Sequence, residues 1–184
     1  MRDDPLSWSI TDRTVAYSCP GFDVIREEVQ LPDGTKTDFD YVQEPPSVVI
    51  IPFTDDEEIV VIDEWRHAVR RRNRGFPAGT AEPEDEDLVE TAHRELREET
   101  GYSAEFIEPL GAFEPANGLL AIQHNYFVAH GCTPRGDPDH DHDETIVVDT
   151  TRWSTLRDAA LDGLIADGRT VLGILYYDAI EDAP

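Results

Sequence analysis

In the run Arg94-Glu95-Leu96-Arg97-Glu98-Glu99, residue type and spacing together point to chemistry. It lies in a segment, Glu86 to Thr100, that lacks Gly and Pro, is rich in Glu, Leu, Ala and Arg, and is followed by Gly101, so a helix is predicted there. At about 100° per residue, Glu95 and Glu99 fall within about 40° of each other and border the stripe formed by Leu88 and Ala92. Glu98 stands on the other side of Glu95 and completes a three-carboxylate cluster, whereas Glu90, Arg94 and Arg97 project well away from the stripe. Like charges one turn apart destabilise a helix unless a cation lies between them. A hard divalent ion, Mg²⁺ or Mn²⁺, meets that need because it prefers oxygen ligands and bridges protein carboxylates to substrate phosphates. The plainer alternative is a solvated acidic face, which a chain this rich in glutamate can carry without function.

The elements that must position this helix are mostly strands. Thr14–Cys19, Phe22–Leu31, Thr37–Gln43, Ser47–Phe53 and Glu58–Asp63 read as strands, with turn signals at Pro32-Asp33-Gly34 and Asp55-Asp56. More strand is predicted at Ala104–Phe113, Ile122–His130 and Thr145–Asp149, a polar loop at Thr133–Glu144, and helices at Ser154–Ala166 and Thr170–Ile180. Helices flanking a mixed sheet give an α+β, layered α/β/α sandwich. A β-rich extension over residues 1–45 precedes the remainder, 46–184, and neither a repeat nor a linker separates them.

Length and composition bound the rest. A chain of 184 residues can bury one sizeable core. No apolar run is long enough for a membrane span, and Asp3 and Asp4 stand where a secretory leader needs positive charge, so a cytoplasmic protein without membrane contact is expected. Cys19 and Cys132 form neither a metal nor a disulfide pattern. The net charge of −25, with Lys36 as the only lysine, disfavours nucleic-acid binding. The same charge fits a salt-rich cytoplasm, where screening relieves self-repulsion, or else an acidic protein kept soluble by its charge.

Upstream, Gly75-Phe76-Pro77-Ala78-Gly79 leads through an acidic loop into the helix, and a Gly-containing turn allows close approach to a phosphate or metal. Gly79, Glu86, Arg94-Glu95-Leu96, Glu98-Glu99 and Gly101-Tyr102 together resemble the Nudix box, G-x5-E-x7-R-E-U-x-E-E-x-G-U, with U an apolar residue. Spacing is kept from Glu86 to Tyr102, while six residues instead of five separate Gly79 from Glu86. This is read as a one-residue loop insertion that leaves the carboxylate spacing intact. The resemblance extends through Phe22–Asp33, Asp40-Tyr41-Val42, Val48–Phe53 and Ile59–Arg66 to the ADP-ribose pyrophosphatase branch of that family. Two departures bear on substrate choice: Gly75-Phe76 replaces an E-L pair, and Ala116-Asn117-Gly118 replaces S-P-G.

The resemblance implies metal-dependent hydrolysis of the diphosphate in a nucleoside diphosphate derivative, with ADP-ribose cleaved to AMP and ribose 5-phosphate first among the candidates. Glu95 and Glu99 are then the principal Mg²⁺ or Mn²⁺ ligands, with Glu98 and the Ala78 carbonyl beside them. Glu86 joins the metal shell or pairs with Arg94, and Arg94 holds a glutamate in place. Arg66, at a strand end, resembles the family's diphosphate-contacting arginine, and Gly79 lets substrate approach. Arg70 to Arg74 read equally as phosphate-attracting charge or as a solvated loop, and Trp65 as core before base-stacking. Glu144 is the expected general base with Asp143 behind it, and the extension implies a homodimer. Rival readings are a nucleoside triphosphate or dinucleotide pyrophosphohydrolase and a non-catalytic nucleotide sensor. An isomerase of the same fold is disfavoured because neither cysteine has the matching context.

Overall fold

The computed structural model describes residues 4–181. The chain divides into two compact units, one formed by Met1–Pro45 with Glu114–Gln123, the other by Pro46–Phe113 with His124–Pro184. Sequence alone placed residues 114–123 with the larger part. They join the smaller unit because β10 (Leu120–Ala121) adds in parallel to β3 (Lys36–Gln43).

The smaller unit is a sheet in the order β1-β2-β3-β10, with β1 spanning Ser9–Ser18 and β2 spanning Asp23–Gln30. β2 alternates Ile25, Glu27 and Val29 inward with charged residues outward, the pattern of a strand with one covered face. All ten residues of β1, an edge strand, are exposed, including Ile10, Val15 and Tyr17.

In the larger unit the central sheet runs β7-β4-β11-β9, from β7 (Ala78–Thr80), β4 (Ser47–Pro52), β11 (His124–His130) and β9 (Phe106–Phe113). β11 lies parallel to β4 and the other pairs are antiparallel, so the sheet is mixed as expected. Every residue of β4 is buried, and its two faces enter two different cores. Val48 and Ile50 meet Ala92 and Leu96 of α1 (Leu88–Thr100), while Val49 and Ile51 meet Leu156 of α2 (Trp153–Leu161) and Ile174 of α3 (Gly168–Glu181). This is the layered α/β/α arrangement. Leu96 is fully buried, and its truncation to Ala would cost roughly 2–5 kcal/mol, so α1 is seated firmly. A second sheet runs β13-β5-β6, from β13 (Ile146–Arg152), β5 (Glu58–Arg66) and β6 (Arg71–Gly75). β8 (Tyr102–Ser103) and β12 (Thr133–Pro134) form a short ladder beyond α1.

α1 begins two residues later than predicted. Asp87 is its N-cap, accepting from the backbone N–H of Val89 and Glu90, and Gly101 closes it at φ 73°, a left-handed position that suits glycine. α2 stops at Leu161, short of Ala166, where the chain turns through Gly163. β6 was missed because its arginine run has no apolar alternation; it pairs with β5 from Ile62–Gly75 to Arg66–Arg71. Trp65, expected in the core, is 48% exposed, because alternation along β5 turns the adjacent Glu64 inward. Among the described residues, no helix is long and apolar enough to cross a membrane.

Candidate active site

The register between β4 and β7 creates one wall of the site. Ile50 N–H donates to the Pro77 carbonyl and Ala81 N–H to the Pro46 carbonyl. In an antiparallel ladder this leaves the N–H and C=O of Ala78 directed off the sheet edge. The Ala78 N–H donates to Glu99 at 2.8 Å, and its carbonyl shares that side. The next residue, Gly79, is fixed by space: a Cβ there would run into the Glu95 carboxylate.

α1 supplies the other wall, and its three glutamates differ in depth. Glu99 is only 3% exposed, the Glu95 side chain 12% and the Glu98 side chain 34%. Burial, with Glu95, Glu144 and Glu64 nearby, pushes the Glu99 carboxyl up to about 8 despite the hydrogen bond from Ala78. Burial likewise pushes Glu95 up to about 7, against the pull of Arg94. Two carboxyls that hold protons near neutrality lack sufficient positive charge.

Helical projection turned Arg94 away from the buried stripe, yet its side chain is only 16% exposed. The loop between β7 and α1 folds over it. Nη2 donates to the Thr80 carbonyl and to Asp85, Nε donates to Asp85, and Nη1 donates to both Glu95 and Glu98 at 2.9 Å. Burial opposes the Arg94 charge, but hydrogen bonds to Asp85, Glu98 and Glu95 outweigh it and raise the pKa above its ordinary value. Arg94 in turn holds Asp85 well below the usual carboxylate range.

Asp85, and not Glu86, is thus the loop carboxylate that pairs with Arg94. Its carboxylate also accepts from Glu82 N–H and the Thr91 hydroxyl, which turn it inward. Glu86 is exposed, does not line the cavity, and gives its backbone N–H to Glu90 as the chain enters the helix.

The polar loop after the sheet closes the third side. Asp139 N–H donates to the Glu98 carbonyl, His140 Nε2 to the Glu99 carbonyl and Arg135 N–H to the Gly101 carbonyl, so the loop satisfies the free carbonyls ending α1. His140 is thereby a strut. Glu144, held by Asp141 N–H at 3.0 Å, lines the cavity, whereas Asp143 is exposed beside His142. The cavity, about 290 Å³, is lined by Gly79, Glu95, Glu98, Glu99 and Glu144 among others.

Arg66 ends β5 as predicted, but bonds Glu64 at 2.7 Å and lines a neighbouring cavity with Glu64 and Arg169. Glu64, 8% exposed, was missed by sequence reasoning. Its signal was the adjacent acid pair Asp63-Glu64 in an apolar strand, whose members face opposite ways. Of the arginine run, Arg74 bridges Asp63 and Asp149, while Arg71 and Arg72 are exposed.

Among the described residues, no group of three or more His, Cys, Asp or Glu stands ready-made around a metal position. Arg94 donates to both Glu95 and Glu98. The donor chemistry nonetheless fits a hard divalent ion: oxygen donors only, two of them carboxyls starved of positive charge, beside a carbonyl off a sheet edge.

The NUDIX domain model matches residues 43–172. The chain is 30% identical over 179 residues to an ADP-ribose pyrophosphatase of Bacillus subtilis (strain 168), covering 94% of this chain and 96% of that protein. It is 29% identical over 157 residues to a methanol dehydrogenase activator of Bacillus methanolicus, covering 84% of each. A Mycobacterium tuberculosis ADP-ribose pyrophosphatase is 29% identical over 162 residues, covering 86% of this chain and 77% of its own length. The crystal structure of an ADP compounds hydrolase superposes with a TM-score of 0.81 at 21% identity, covering 94% of this chain and 93% of that one, a likeness of fold. Nudix hydrolases generally use divalent metal ions. The glutamates of α1, the sandwich that holds them and these matches converge: the chain belongs to the Nudix family and is a Nudix hydrolase similar to its ADP-ribose pyrophosphatases.

Proposed function

We propose that this hydrolase cleaves the diphosphate of a nucleoside diphosphate derivative with Mg²⁺ or Mn²⁺, first among them ADP-ribose, which yields AMP and ribose 5-phosphate. The observation that carries the reading is the pair of buried carboxyls, Glu95 and Glu99, pushed up to about 7 and about 8 in one cavity, with the Ala78 N–H bonded to Glu99. Glu95, Glu99, Glu98 and the Ala78 carbonyl would hold the ion. When bound, the metal neutralises phosphate charge and makes the phosphorus open to attack by water. Arg94 positions Glu95 and Glu98 and touches no substrate. Glu144 takes the proton from the attacking water, and Arg66 contacts the diphosphate.

The test is hydrolysis of ADP-ribose with either metal in ¹⁸O-labelled water, with AMP expected to carry the label. A substrate panel separates this from nucleoside triphosphate and dinucleotide hydrolysis. Tight nucleotide binding with no turnover of any diphosphate would replace the enzyme reading with a sensor. The exposed apolar residues of β1 support a homodimer through the smaller unit; a monomer in sedimentation at micromolar concentration would remove it. The net charge of −25 supports a salt-rich cytoplasm without nucleic-acid or membrane partners. Equal thermal stability in dilute buffer and molar KCl would refute the salt adaptation.

A further inference from the structure

From Arg135 to Thr145 the chain carries, besides Gly136 and Pro138, only polar side chains, so burial of apolar surface cannot seat it. Yet Glu144, on this segment, lines the glutamate cavity. Hydrogen bonds on either side of it do the seating.

Downstream of Glu144, the bond from Trp65 N–H to the Thr145 carbonyl and the pairing of Ile146 with Glu64 tie the chain to β5. Upstream, the ties go to α1. Asp139 N–H donates to the Glu98 carbonyl at 2.9 Å, and His140 Nε2 to the Glu99 carbonyl at 2.9 Å. Between these ties the chain closes on itself: Asp141 N–H donates to the Glu144 carboxylate at 3.0 Å, and Glu144 N–H to the Asp141 carbonyl at 3.1 Å. Asp141 and Glu144 are thus one closed turn, and His140 is the residue that leads into it.

The far end of the His140 bond is informative too. Glu99 offers its carbonyl to His140 and its carboxylate to the Ala78 N–H, so one residue of a firmly seated helix holds both the loop and a carboxyl of the cavity. A carbonyl only accepts, so Nε2 carries the hydrogen in either charge state of the ring. Helix-end carbonyls can be left to water. What sets this bond apart from a simple cap is its place, one residue before the closed turn and in the cavity lining. His142, two residues on, is of the same type, but its side chain is 95% exposed.

We infer that His140 is a positioning residue for the hydrolysis: by pinning the loop to the Glu99 carbonyl it fixes the Glu144 carboxylate relative to the α1 glutamates. The assignment rests on the hydrolase reading above, in which Glu144 takes the proton from the attacking water.

The experiment compares His140→Ala, His140→Gln and His142→Ala with the parent, and combines His140→Ala with Glu144→Gln. In the metal-free proteins, amide hydrogen exchange at Asp139, Asp141 and Glu144 should quicken by roughly tenfold or more in His140→Ala, with the middle of α1 unchanged. With Mg²⁺ and ADP-ribose, kcat should fall by roughly tenfold or more and KM stay within about twofold, since misplacing a catalytic group by about 1 Å costs up to about 10²-fold. His140→Gln, which keeps an N–H donor, should recover most of both effects, and His142→Ala should match the parent. Because His140 acts through Glu144, the double variant should be no slower than Glu144→Gln alone. Unchanged exchange and kcat in His140→Ala, or a loss that adds in full to that of Glu144→Gln, would overturn the assignment. A parent that leaves ADP-ribose and related diphosphates intact would overturn the hydrolase reading instead, and amide exchange would still decide whether His140 orders the loop.

Discussion

Two arginines organise the acidic residues of the larger unit, and they do so to opposite effect. Arg74 ties three strands together: it lies on β6, meets Asp63 of β5 at 2.8 Å and Asp149 of β13 at 2.8 Å. Its hydrogen bonds hold Asp63 below the ordinary carboxylate pKa. Arg94 has more partners, yet Glu95 beside it and Glu99 beyond its reach are pushed up to about 7 and about 8. One cluster is balanced and serves the fold. The other leaves carboxylates in excess, an arrangement that costs stability and marks a place prepared for a cation.

The largest effects should come from the unbalanced cluster. Glu95→Gln or Glu99→Gln keeps the shape and, for Glu99, the acceptor for Ala78, so turnover should fall by roughly 10²-fold or more while the melting temperature holds or rises. Retained metal-dependent turnover, or a marked loss of stability, would make the cluster structural like that of Arg74. Glu144→Gln should lower kcat by about 10²-fold or more if it takes the proton, whereas Asp143→Asn, on an exposed residue outside the cavity lining, should leave kcat near that of the parent. Equal effects of the two would remove the assignment.

The two clusters were also unequally legible in the sequence. The face shared by Glu95 and Glu99 follows from helix period alone, and the strands with apolar alternation were found with shifted ends. The burial of Arg94 was not legible, because a helical projection carries no information about a loop folding over the helix. Asp85 and Glu86 are adjacent acids in that loop, and only the bonds from Glu82 and Thr91 decide which turns inward. Arg74 lay in a run that read as loop, and Arg169 reaches the site neighbourhood from a helix about a hundred residues downstream of Arg66. Contacts of that range have no local signature.

A smaller effect is expected at Arg74. Arg74→Gln leaves Asp63, whose side chain is 10% exposed, without its charged partner, and should cost roughly 1–3 kcal/mol in denaturant unfolding. The maximal rate of the folded protein should change far less than in Glu99→Gln, because Arg74 lines the cavity of Arg66 but neither it nor its partners line the glutamate cavity. A turnover loss matching that of Glu99→Gln would mean that the clusters are not separable.

The finest distinction is in pH dependence, since the two clusters have opposite signs. Glu95 and Glu99, raised in the folded metal-free protein, bind protons there that the unfolded chain has already released. Their stabilising contribution is complete below about 4.5, the unfolded value, and is lost as pH rises through about 7 and about 8. Each carboxyl can contribute a slope of at most about 1.4 kcal/mol per pH unit. Asp63, depressed by Arg74, behaves conversely: its contribution is present above the unfolded value of 3.8 and is lost as pH falls through its lower folded value. Denaturant unfolding in chelator at constant ionic strength should show both limbs. Glu99→Gln should flatten the limb between about pH 5 and 8, and Arg74→Gln the limb below pH 4. Divalent metal should suppress only the upper limb, because it replaces the proton on the glutamates, so its stabilising effect grows with pH. An upper limb that survives in Glu99→Gln and in saturating metal would arise from the general acidity of the chain, and the contrast between the clusters would lose its electrostatic basis.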